Sequence, residues 1–293
     1  GGFYAKLDFI RDEVTNKTYI DIRELRLQYR LASWLDLSVG RQVTTWGVAD
    51  MLFINDLFPK NWIANFQGRD MESMKDSSTS LRLTSYFKGW TLDMVYHPKF
   101  SPDTTPTGCY FTVFDPNSGS LIGNPGSCDN PMQSEKVSNS LKHGEYAVSL
   151  KRRIGSQEVA LYGYSGFYKN PRGISMNGEG FMLPYYPDLM VLGASSEGQV
   201  GPGIFSTEIG YYYSKEDKDG SNPFIENSYF KYLIGYRMDL SAKFAVGLQW
   251  YQERMMDYAA YEQSVMMNPY RKKKAHNTFT VRLTFKAQQE TLR

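Results

Sequence analysis

Apolar and polar residues alternate one by one over most of this chain. In the segment FTVRLTF every second residue is large and apolar, namely Phe279, Val281, Leu283 and Phe285. The residues between them are Thr280, Arg282 and Thr284. A period of two places successive side chains on opposite sides of a β-strand, so the pattern predicts strands with one apolar and one polar face.

The same alternation predicts twelve strands. We place them at residues 2–12, 18–32, 35–46, 79–88, 90–99, 143–154, 157–169, 189–198, 203–215, 228–240, 243–256 and 275–286. Most are close to the roughly 9–11 residues that a tilted strand needs to cross a bilayer. Within 18–32 the apolar parity changes between Ile22 and Leu25, which predicts a β-bulge.

The connections between these strands are of two kinds, which alternate strictly along the chain. The short ones are ASWLD, KGW, IGSQ, GQVGPG and LSAK, and the long ones are 47–78, 100–142, 170–188, 216–227 and 257–274. Short turns at one end and long loops at the other are typical of an outer-membrane barrel. A soluble β-sandwich is the alternative for many alternating strands.

Two further features favour the barrel over the sandwich. The polar faces carry Gly, Thr, Arg, Lys and Asp, whereas the solvent face of a sandwich would be richer in charge. Aromatic residues near strand ends, such as Trp34, Trp90, Trp250 and Tyr211–Tyr213, suit the belts that line a membrane interface. We therefore predict an all-β, transmembrane, antiparallel up-and-down barrel located in the bacterial outer membrane.

Composition narrows the class of protein further. The 293 residues carry a formal charge of only +2, which gives no reason to expect nucleic acid as a partner. No stretch approaches the roughly 18 apolar residues of a spanning helix, which excludes a helical membrane protein. The first residues, GGFYAKLDF, lack a basic segment followed by an apolar one, and the last ones, KAQQETLR, resemble a shortened strand. We therefore expect a processed chain or part of a barrel of 14–18 strands.

The two cysteines, Cys109 and Cys128, lie in one segment rich in Gly, Pro, Ser and Asn. We expect a disulfide that closes the long external loop 100–142, because a metal site would need more ligands nearby. A disulfide would place this loop in an oxidising compartment. Two free thiols in a loop are the alternative, and no metal or other cofactor is expected.

If the aliphatic parity faces lipid, the opposite parity lines the barrel interior. This assigns thirteen charged residues to the interior: Lys6, Asp8, Arg26, Arg30, Arg82, Asp93, Glu145, Lys151, Glu208, Lys231, Arg237, Glu253 and Arg282. Both signs occur in similar numbers, so a strong net ion selectivity does not follow. The alternative is a closed interior filled with salt bridges.

The loop 47–78 is too apolar to lie free in water. One interpretation folds it into the barrel as a constriction, with Trp46 and Gly47 at the bend and polar groups offered to a solute. The candidate constriction residues are then Trp46, Gly47, Asp50, Asn55, Asp56 and Arg69. The other interpretation packs the loop over its own rim, with the polar residues of INDLFP as helix caps.

Two further groups of residues bear on partners and chemistry. The basic run RKKK at 271–274 precedes the last strand, where it could meet the phosphates of lipopolysaccharide rather than only water. The three histidines, His97, His143 and His276, show neither metal-ligand spacing nor a visible serine partner. We expect no enzyme, since a lipid hydrolase would need a Ser and a His to be adjacent on the barrel wall.

One stretch carries a resemblance to known proteins. The segment RELRLQYRLASWLDLSVGRQVTTWGVADMLFINDLFP resembles an uncharacterised group of Gram-negative outer-membrane porin-like proteins, distantly similar to alginate-export porins. The positions that match its RQxxxWGxxD hairpin motif and the following segment are Arg41, Gln42, Trp46, Gly47, Asp50, Asp56 and Pro59. The resemblance implies barrel architecture and a passive or semi-selective channel.

Together these patterns predict one outer-membrane barrel domain over residues 1–293 that passes small polar or amphipathic solutes. Its expected partners are outer-membrane lipid, lipopolysaccharide and the solutes themselves, while a homo-oligomer or a partner protein stays open. The alternative function is a structural barrel that sheathes or anchors a partner such as a multihaem cytochrome. The chain has no CxxCH haem site, so any haem would belong to that partner.

Overall fold

The fold is taken from a computed structural model, which describes residues 1–49, 52–115, 118–123, 134–135, 137, 143–176, 178, 180–265 and 271–286. Twelve strands form one antiparallel sheet: β1 (Gly2–Asp12), β2 (Lys17–Ala32), β3 (Leu35–Val43), β4 (Ser77–Phe87), β5 (Trp90–His97), β8 (Glu145–Ile154), β9 (Gln157–Phe167), β12 (Asp188–Val200), β13 (Gly203–Ser214), β14 (Tyr229–Ser241), β15 (Phe244–Met255) and β16 (Ala275–Phe285). Each strand pairs with its neighbours in chain order. The prediction of an all-β, up-and-down architecture with twelve strands is confirmed.

Smaller elements lie in the long connections, where we predicted no strand and considered only a helix capped by the residues of INDLFP. Two hairpins are formed by β6 (Val113–Asp115) with β7 (Ser120–Ile122) and by β10 (Gly173–Met176) with β11 (Met182–Tyr185). Three short helices are α1 (Trp62–Phe66), α2 (Met71–Met74) and α3 (Tyr258–Ser264). No helix in the described part of the chain is long and apolar enough to cross a membrane.

The sheet is open between β1 and β16, since neither strand has a second neighbour among the described residues. The predicted bulge is confirmed, because β1 and β2 shift register where Lys6 pairs with Glu24 but Leu7 pairs with Ile22. The extra residue, Arg23, accounts for the change of apolar parity.

The strict alternation of short and long connections was wrong at one place. Residues 13–16 join β1 to β2 by a tight turn, although they lie at the same end of the sheet as the long loops. The end of β3 also differs from the predicted strand 35–46. Val43 is the last residue that pairs with β4, and from Thr44 the chain leaves the sheet.

The two faces of the sheet reverse the usual distribution of apolar and polar residues. On the outer face, Phe279, Val281 and Leu283 are 64–75% exposed. On the inner face, Ser149, Glu145 and Glu208 are at most 1% exposed. Tyr211, Phe230 and Tyr232 form an aromatic group on the outer face, near the end with the long loops. A continuous apolar outer face with a polar interior is the arrangement of a membrane-spanning barrel.

Candidate functional site

The loop after β3 lies against the inner face of the sheet. We call residues 44–76 the inward segment; all of them except 50 and 51 are described. Ile54 and Phe58 of this segment are 0% and 2% exposed, and they belong to a cluster with Tyr162, Val191 and Tyr212 of the strands. Burial of these apolar side chains is the main reason for the segment to lie inside rather than in water.

Trp46 fixes the beginning of the inward segment. Its indole Nε1 donates to Oδ2 of Asp93 on β5 over 3.2 Å, and its ring meets Phe58 edge-on with centroids 4.9 Å apart. Asp93 is itself held by Arg82 at 2.5 and 2.8 Å and by Thr84 at 2.9 Å. A buried indole N–H requires such an acceptor, so the Trp46 ring is both packed and oriented.

Glu208 of β13 anchors the middle of the segment. Its Oε1 accepts a hydrogen bond from the backbone N–H of Asn55 over 2.6 Å, and its Oε2 accepts one from Val48 over 3.2 Å. Gly47 adopts a φ of 81° at this bend, and a Cβ there would lie 2.7 Å from Oε1 of Glu208. A glycine is therefore required both by the left-handed conformation and by the close carboxylate.

Two glycines of the wall make room for the anchored residues. A Cβ on Gly193 of β12 would lie 1.7 Å from Oδ1 of Asn55, and one on Gly210 of β13 would lie 2.6 Å from Cγ2 of Ile54. Asn55 Nδ2 donates to the carbonyl of Ile209 over 3.0 Å. Glycine inside a strand thus marks the place where another part of the chain approaches closely.

A buried ion pair stiffens the inward segment. Nζ of Lys60 lies 2.8 Å from Oδ1 of Asp56, and both side chains are at most 3% exposed. Oδ2 of Asp56 accepts from Thr45 over 2.7 Å, and Nζ of Lys60 donates to the carbonyl of Phe58 over 2.7 Å. These bonds compensate the cost of burying two charges. Asp56 thus connects Thr45, before the bend, with Lys60, after it.

Asp103 joins the inward segment to the loops above it. Its carboxylate accepts from Trp62 Nε1 over 2.7 Å, from the backbone N–H of Lys60 over 2.9 Å and from Asn170 Nδ2 over 2.8 Å. Burial raises the pKa of the Asp103 carboxyl above its usual range, although the donors from Trp62 and Lys60 act in the opposite direction. Three segments that are far apart in sequence therefore meet at one carboxylate.

The helices of the segment begin at residues other than those proposed in the helix-cap interpretation. Asn61 caps α1 by accepting from Ala64 N over 2.9 Å, and Asp70 caps α2 by accepting from Ser73 N over 2.7 Å. Asn55 and Asp56 are bonded inside the barrel instead, so the interpretation of INDLFP as a helix cap is wrong. Arg69 is exposed in the turn between the two helices and does not join the buried group. Asp50 lies outside the described residues.

A cavity of about 360 Å³ lies between the inward segment and the wall on the side of β12–β16. Its lining includes aromatic rings, among them Phe53, Trp62, Tyr168, Tyr229 and Tyr251, and charged groups of both signs. Lys231 and Glu253, neighbours on β14 and β15, form an ion pair at 2.9 Å in its wall. The volume is at the lower end of the range for small-molecule pockets, so the space admits a compact solute.

The cross-strand register places the thirteen predicted interior residues on one face of the sheet. Along one row, Asp93 pairs with Ser149, Ser149 with Tyr162, Tyr162 with Gly193, Gly193 with Gly210, Gly210 with Lys231 and Lys231 with Glu253. Partners in a register share a face. Along a second row, Lys151 pairs with Ala160, Ala160 with Ser195 and Ser195 with Glu208.

Many of these interior charges are neutralised by a neighbour. The pairs are Arg26 with Glu24, Arg30 with Asp36, Arg82 with Asp93, Arg237 with Glu197, Lys231 with Glu253, Lys6 with Glu72 and Glu145 with Lys169. Asp8 and Arg282 lie on the same face near the two edges of the sheet. That the thirteen interior residues line a pathway for solutes stays a prediction.

Sequence reasoning missed several residues of the site. Asp103, Tyr212 and Lys169 hold the segment or its anchors, since Lys169 accepts a hydrogen bond from the backbone N–H of Asp103, but all three lie 27 or more positions beyond the last residue of the segment, Asp76. Tyr212 donates to the carbonyl of Ile54. Gly193 and Gly210 gave the only available signal, since isolated glycines within strands indicate close approach.

One Ser–His contact does occur on the wall. Oγ of Ser78 and Nδ1 of His97 are 3.1 Å apart, so the adjacency that a hydrolase would need is present. Both side chains are 2% exposed, and Phe58 covers His97 with ring centroids 5.7 Å apart. A nucleophile sealed from solvent cannot meet a lipid substrate. Among the described residues, no group of three or more His, Cys, Asp or Glu side chains is arranged to hold a metal ion.

Only one cysteine of the predicted disulfide lies among the described residues. Cys109 is 9% exposed in the loop after β5, and Cys128 lies outside the described residues. The bond between them therefore stays a prediction.

No protein-family model and no curated protein matches this chain. Solved structures resemble it in architecture. They include OmpT of Vibrio cholerae (10% identity, TM-score 0.45, 82% of this chain and 60% of that one). The outer-membrane channel DcaP of Acinetobacter baumannii (9%, 0.49, 96% and 68%) and a porin (9%, 0.42, 90% and 62%) are similar to a comparable degree. The chain spans about 60% of the length of the first of these.

These similarities are too low to carry an argument about solutes, and the fold assignment rests on the sheet of this chain. Twelve antiparallel strands with an apolar outer face and a polar interior are the architecture of outer-membrane barrels. The chain has the architecture of an outer-membrane β-barrel protein. The resemblance of its RQxxxWGxxD motif to alginate-export porins stays a prediction.

Proposed function

We propose that this protein is an outer-membrane channel for small polar or amphipathic solutes and that the inward segment narrows its bore. The observation that carries the proposal is the anchoring of this segment across the interior. It leaves β3 beside Asp93 on β5 and reaches Glu208 on β13, four strands further along the sheet than β5. A segment held in this way reduces the cross-section, and the cavity of about 360 Å³ beside it is the space that we assign to a solute.

The interior chemistry supports polar rather than strongly ionic selection. Most interior charges sit in pairs of opposite sign, so no large excess of one sign faces a passing solute. Aromatic rings line the same cavity and offer apolar contact to an amphipathic solute. We therefore expect weak ion selectivity and a preference based on size.

Conductance of the full chain in planar bilayers tests this proposal. Deletion of residues 50–66 should enlarge the single-channel conductance, because it removes the buried group around Ile54 and Phe58. Deletion of residues 112–123, which include the paired strands β6 and β7, is the control and should leave conductance unchanged. A silent membrane for all variants would contradict the channel, and equal conductance of the two deletions would contradict the constriction.

The alternative of a sheath around a partner protein gains no support from the interior. A partner domain would need the space that the inward segment occupies. Purification in mild detergent tests it, because a stoichiometric second protein would favour the sheath over the channel.

A further inference from the structure

The outer face of β15 and β16 changes character stepwise towards the end with the long loops. Leu248 pairs with Val281, then Trp250 with Phe279, then Gln252 with Asn277, and finally Arg254 with Ala275. The first two pairs are apolar or aromatic, the third is polar, and the fourth carries a cation. Such a sequence of side chains follows the profile of a bilayer from hydrocarbon through the interface to the headgroups.

Hydrogen bonds mark the point where the outer face becomes polar. Oδ1 of Asn277 accepts from Trp250 Nε1 over 3.1 Å and from Gln252 Nε2 over 2.9 Å. On the neighbouring strand, the rings of Phe230 and Tyr232 are tilted by 33° with centroids 4.7 Å apart, and these residues pair with Arg254 and Gln252. Tyr, Trp and Phe in this position belong to the aromatic belt of a membrane interface.

Arg254 lies just beyond this belt. It is four residues further along the strand than Trp250, which is about 13 Å at roughly 3.3 Å per residue. Because barrel strands are tilted by about 40°, the rise along the membrane normal is about 10 Å. The guanidinium of Arg254 is therefore at the depth of lipid headgroups, on the side that faces lipid.

Lys273 and Lys274 lie beside Arg254. The backbone N–H of Met255 donates to the carbonyl of Lys274 over 2.8 Å, which places the end of the basic run next to the end of β15. All three side chains are exposed. Lys274 lies opposite Met255, whose side chain is buried on the inner parity, so Lys274 belongs to the rim rather than to the outer face. We call Arg254 on the outer face, together with Lys273 and Lys274 at the rim beside it, the basic outer patch.

The other two cations of the basic run have internal partners. Arg271 pairs with Glu262 at 2.9 Å, and Lys272 pairs with Glu226 at 2.8 Å. In contrast, no described carboxylate lies within ion-pair distance of the basic outer patch, and residues 266–270, with the sequence MMNPY, contain no acid. In the run RKKK, Arg271 and Lys272 therefore form internal ion pairs. Lys273 and Lys274 are available to an external anion.

We propose that the basic outer patch binds the phosphate groups of lipid headgroups in the leaflet at the end with the long loops. In an outer-membrane barrel this end is external, where the abundant lipid is a phosphorylated glycolipid. Lysine and arginine near a membrane surface each contribute about 1 kcal/mol of attraction to anionic headgroups. Trp250 and Phe230 below the patch are positioned to contact the acyl region of the same lipid.

Binding of diphosphoryl lipid A to the purified full chain in nonionic detergent tests this proposal. The variant Arg254→Gln/Lys273→Gln/Lys274→Gln should bind about 100-fold more weakly at low ionic strength, from about fivefold for each charge. The matched control is Lys17→Gln/Lys99→Gln/Lys218→Gln, which removes three exposed cations at the same end of the barrel but away from β15 and β16. It should change the affinity less than threefold.

Two further probes separate the sources of phosphate. Dephosphorylated lipid A should bind no better to the wild type than to the patch variant, and inorganic phosphate should compete only weakly because it lacks acyl chains. A loss of less than tenfold in the patch variant, or an equal loss in the control, would overturn the proposal. Strong competition by inorganic phosphate would also overturn it, because the site would then bind free anions rather than lipid. Conductance is not needed for this test, so its outcome is independent of the channel proposal.

Discussion

The backbone N–H of Asn55 donates to Oε1 of Glu208 over 2.6 Å, although the two residues are 153 positions apart. This bond joins the inward segment to the opposite part of the wall. A carboxylate that accepts backbone donors inside a protein forms a strong, charge-assisted bond. Glu208 is therefore one of the side chains that fix the position of the segment in the bore, together with Asp93 and Tyr212.

We expect Glu208→Ala to loosen the inward segment. The single-channel conductance should then be higher on average and should fluctuate more than in the wild type. Loss of the carboxylate leaves the N–H groups of Asn55 and Val48 without acceptors, at a cost of about 1–3 kcal/mol for each buried donor. Glu208→Gln keeps one oxygen and should have an intermediate effect. Glu158→Ala, at an exposed position on the inner parity of β9, serves as the control. Conductance of Glu208→Ala that matches the wild type would contradict the anchor.

Gly193→Ala should displace Asn55 from the wall. Its Cβ would lie 1.7 Å from Oδ1 of Asn55, a distance that requires the segment to move. The control is Gly247→Ala, on the same face of β15, where the added Cβ would meet nothing closer than 3.8 Å. Conductance and thermal unfolding in detergent should change for the first variant and not for the second. Equal behaviour of the two variants would show that the close approach at Gly193 does not position the segment.

Removal of one partner of the Asp56–Lys60 pair should be more damaging than removal of both. Asp56→Asn leaves a buried ammonium without its counter-charge, which costs about 3–5 kcal/mol, whereas Asp56→Leu/Lys60→Met replaces the pair by apolar groups. Thermal unfolding, together with protease cleavage within the inward segment, measures the difference. A double variant less stable than Asp56→Asn would mean that the pair stabilises the segment beyond mutual neutralisation.

Acidification should release the loop that contains Glu226. Burial raises the pKa of Glu226, but Arg172 and Lys272 outweigh burial, and the folded pKa lies below the ordinary value of 4.5. A group with a lowered folded pKa contributes stability above its unfolded pKa and loses it as the pH falls through the folded value. We therefore expect protease cleavage between residues 215 and 228 to increase as the pH falls below the ordinary value of 4.5.

The variant Glu226→Gln provides the comparison for this pH dependence. It lacks the titrating carboxylate, so its loop should be cleaved faster at neutral pH and should respond little to acid. The same pH response in Glu226→Gln and in the wild type would assign the effect to another carboxylate.

The predicted Cys109–Cys128 bond can be tested chemically. Alkylation of the denatured chain by iodoacetamide should modify neither cysteine until a reductant is added. Modification of both without reductant would replace the disulfide with two free thiols.

The strands could be predicted from the sequence because their signal is local. A period of two within β16, from Phe279 to Phe285, is visible in seven residues, and the register then places every interior charge on one face. The site depends instead on contacts between distant segments. Nothing near Asn55 in the sequence indicates Glu208, and Asp56 and Lys60 lie four apart without forming a helix, so no periodic pattern points to their pairing.

The anchors of the inward segment also determine the order in which parts of the barrel assemble. Asn55 and Ile54 bond to Ala194, Ile209 and Tyr212, which follow them by 139 to 158 positions. Contacts between residues so far apart in the sequence form only once the intervening chain has been brought together. Ile54 and Phe58 must therefore wait, exposed, until β12 and β13 have joined the sheet. A partly assembled barrel without β12 and β13 would have no anchors for the segment, so its bore would not be narrowed. Docking of the segment would therefore indicate that these two strands have joined the sheet.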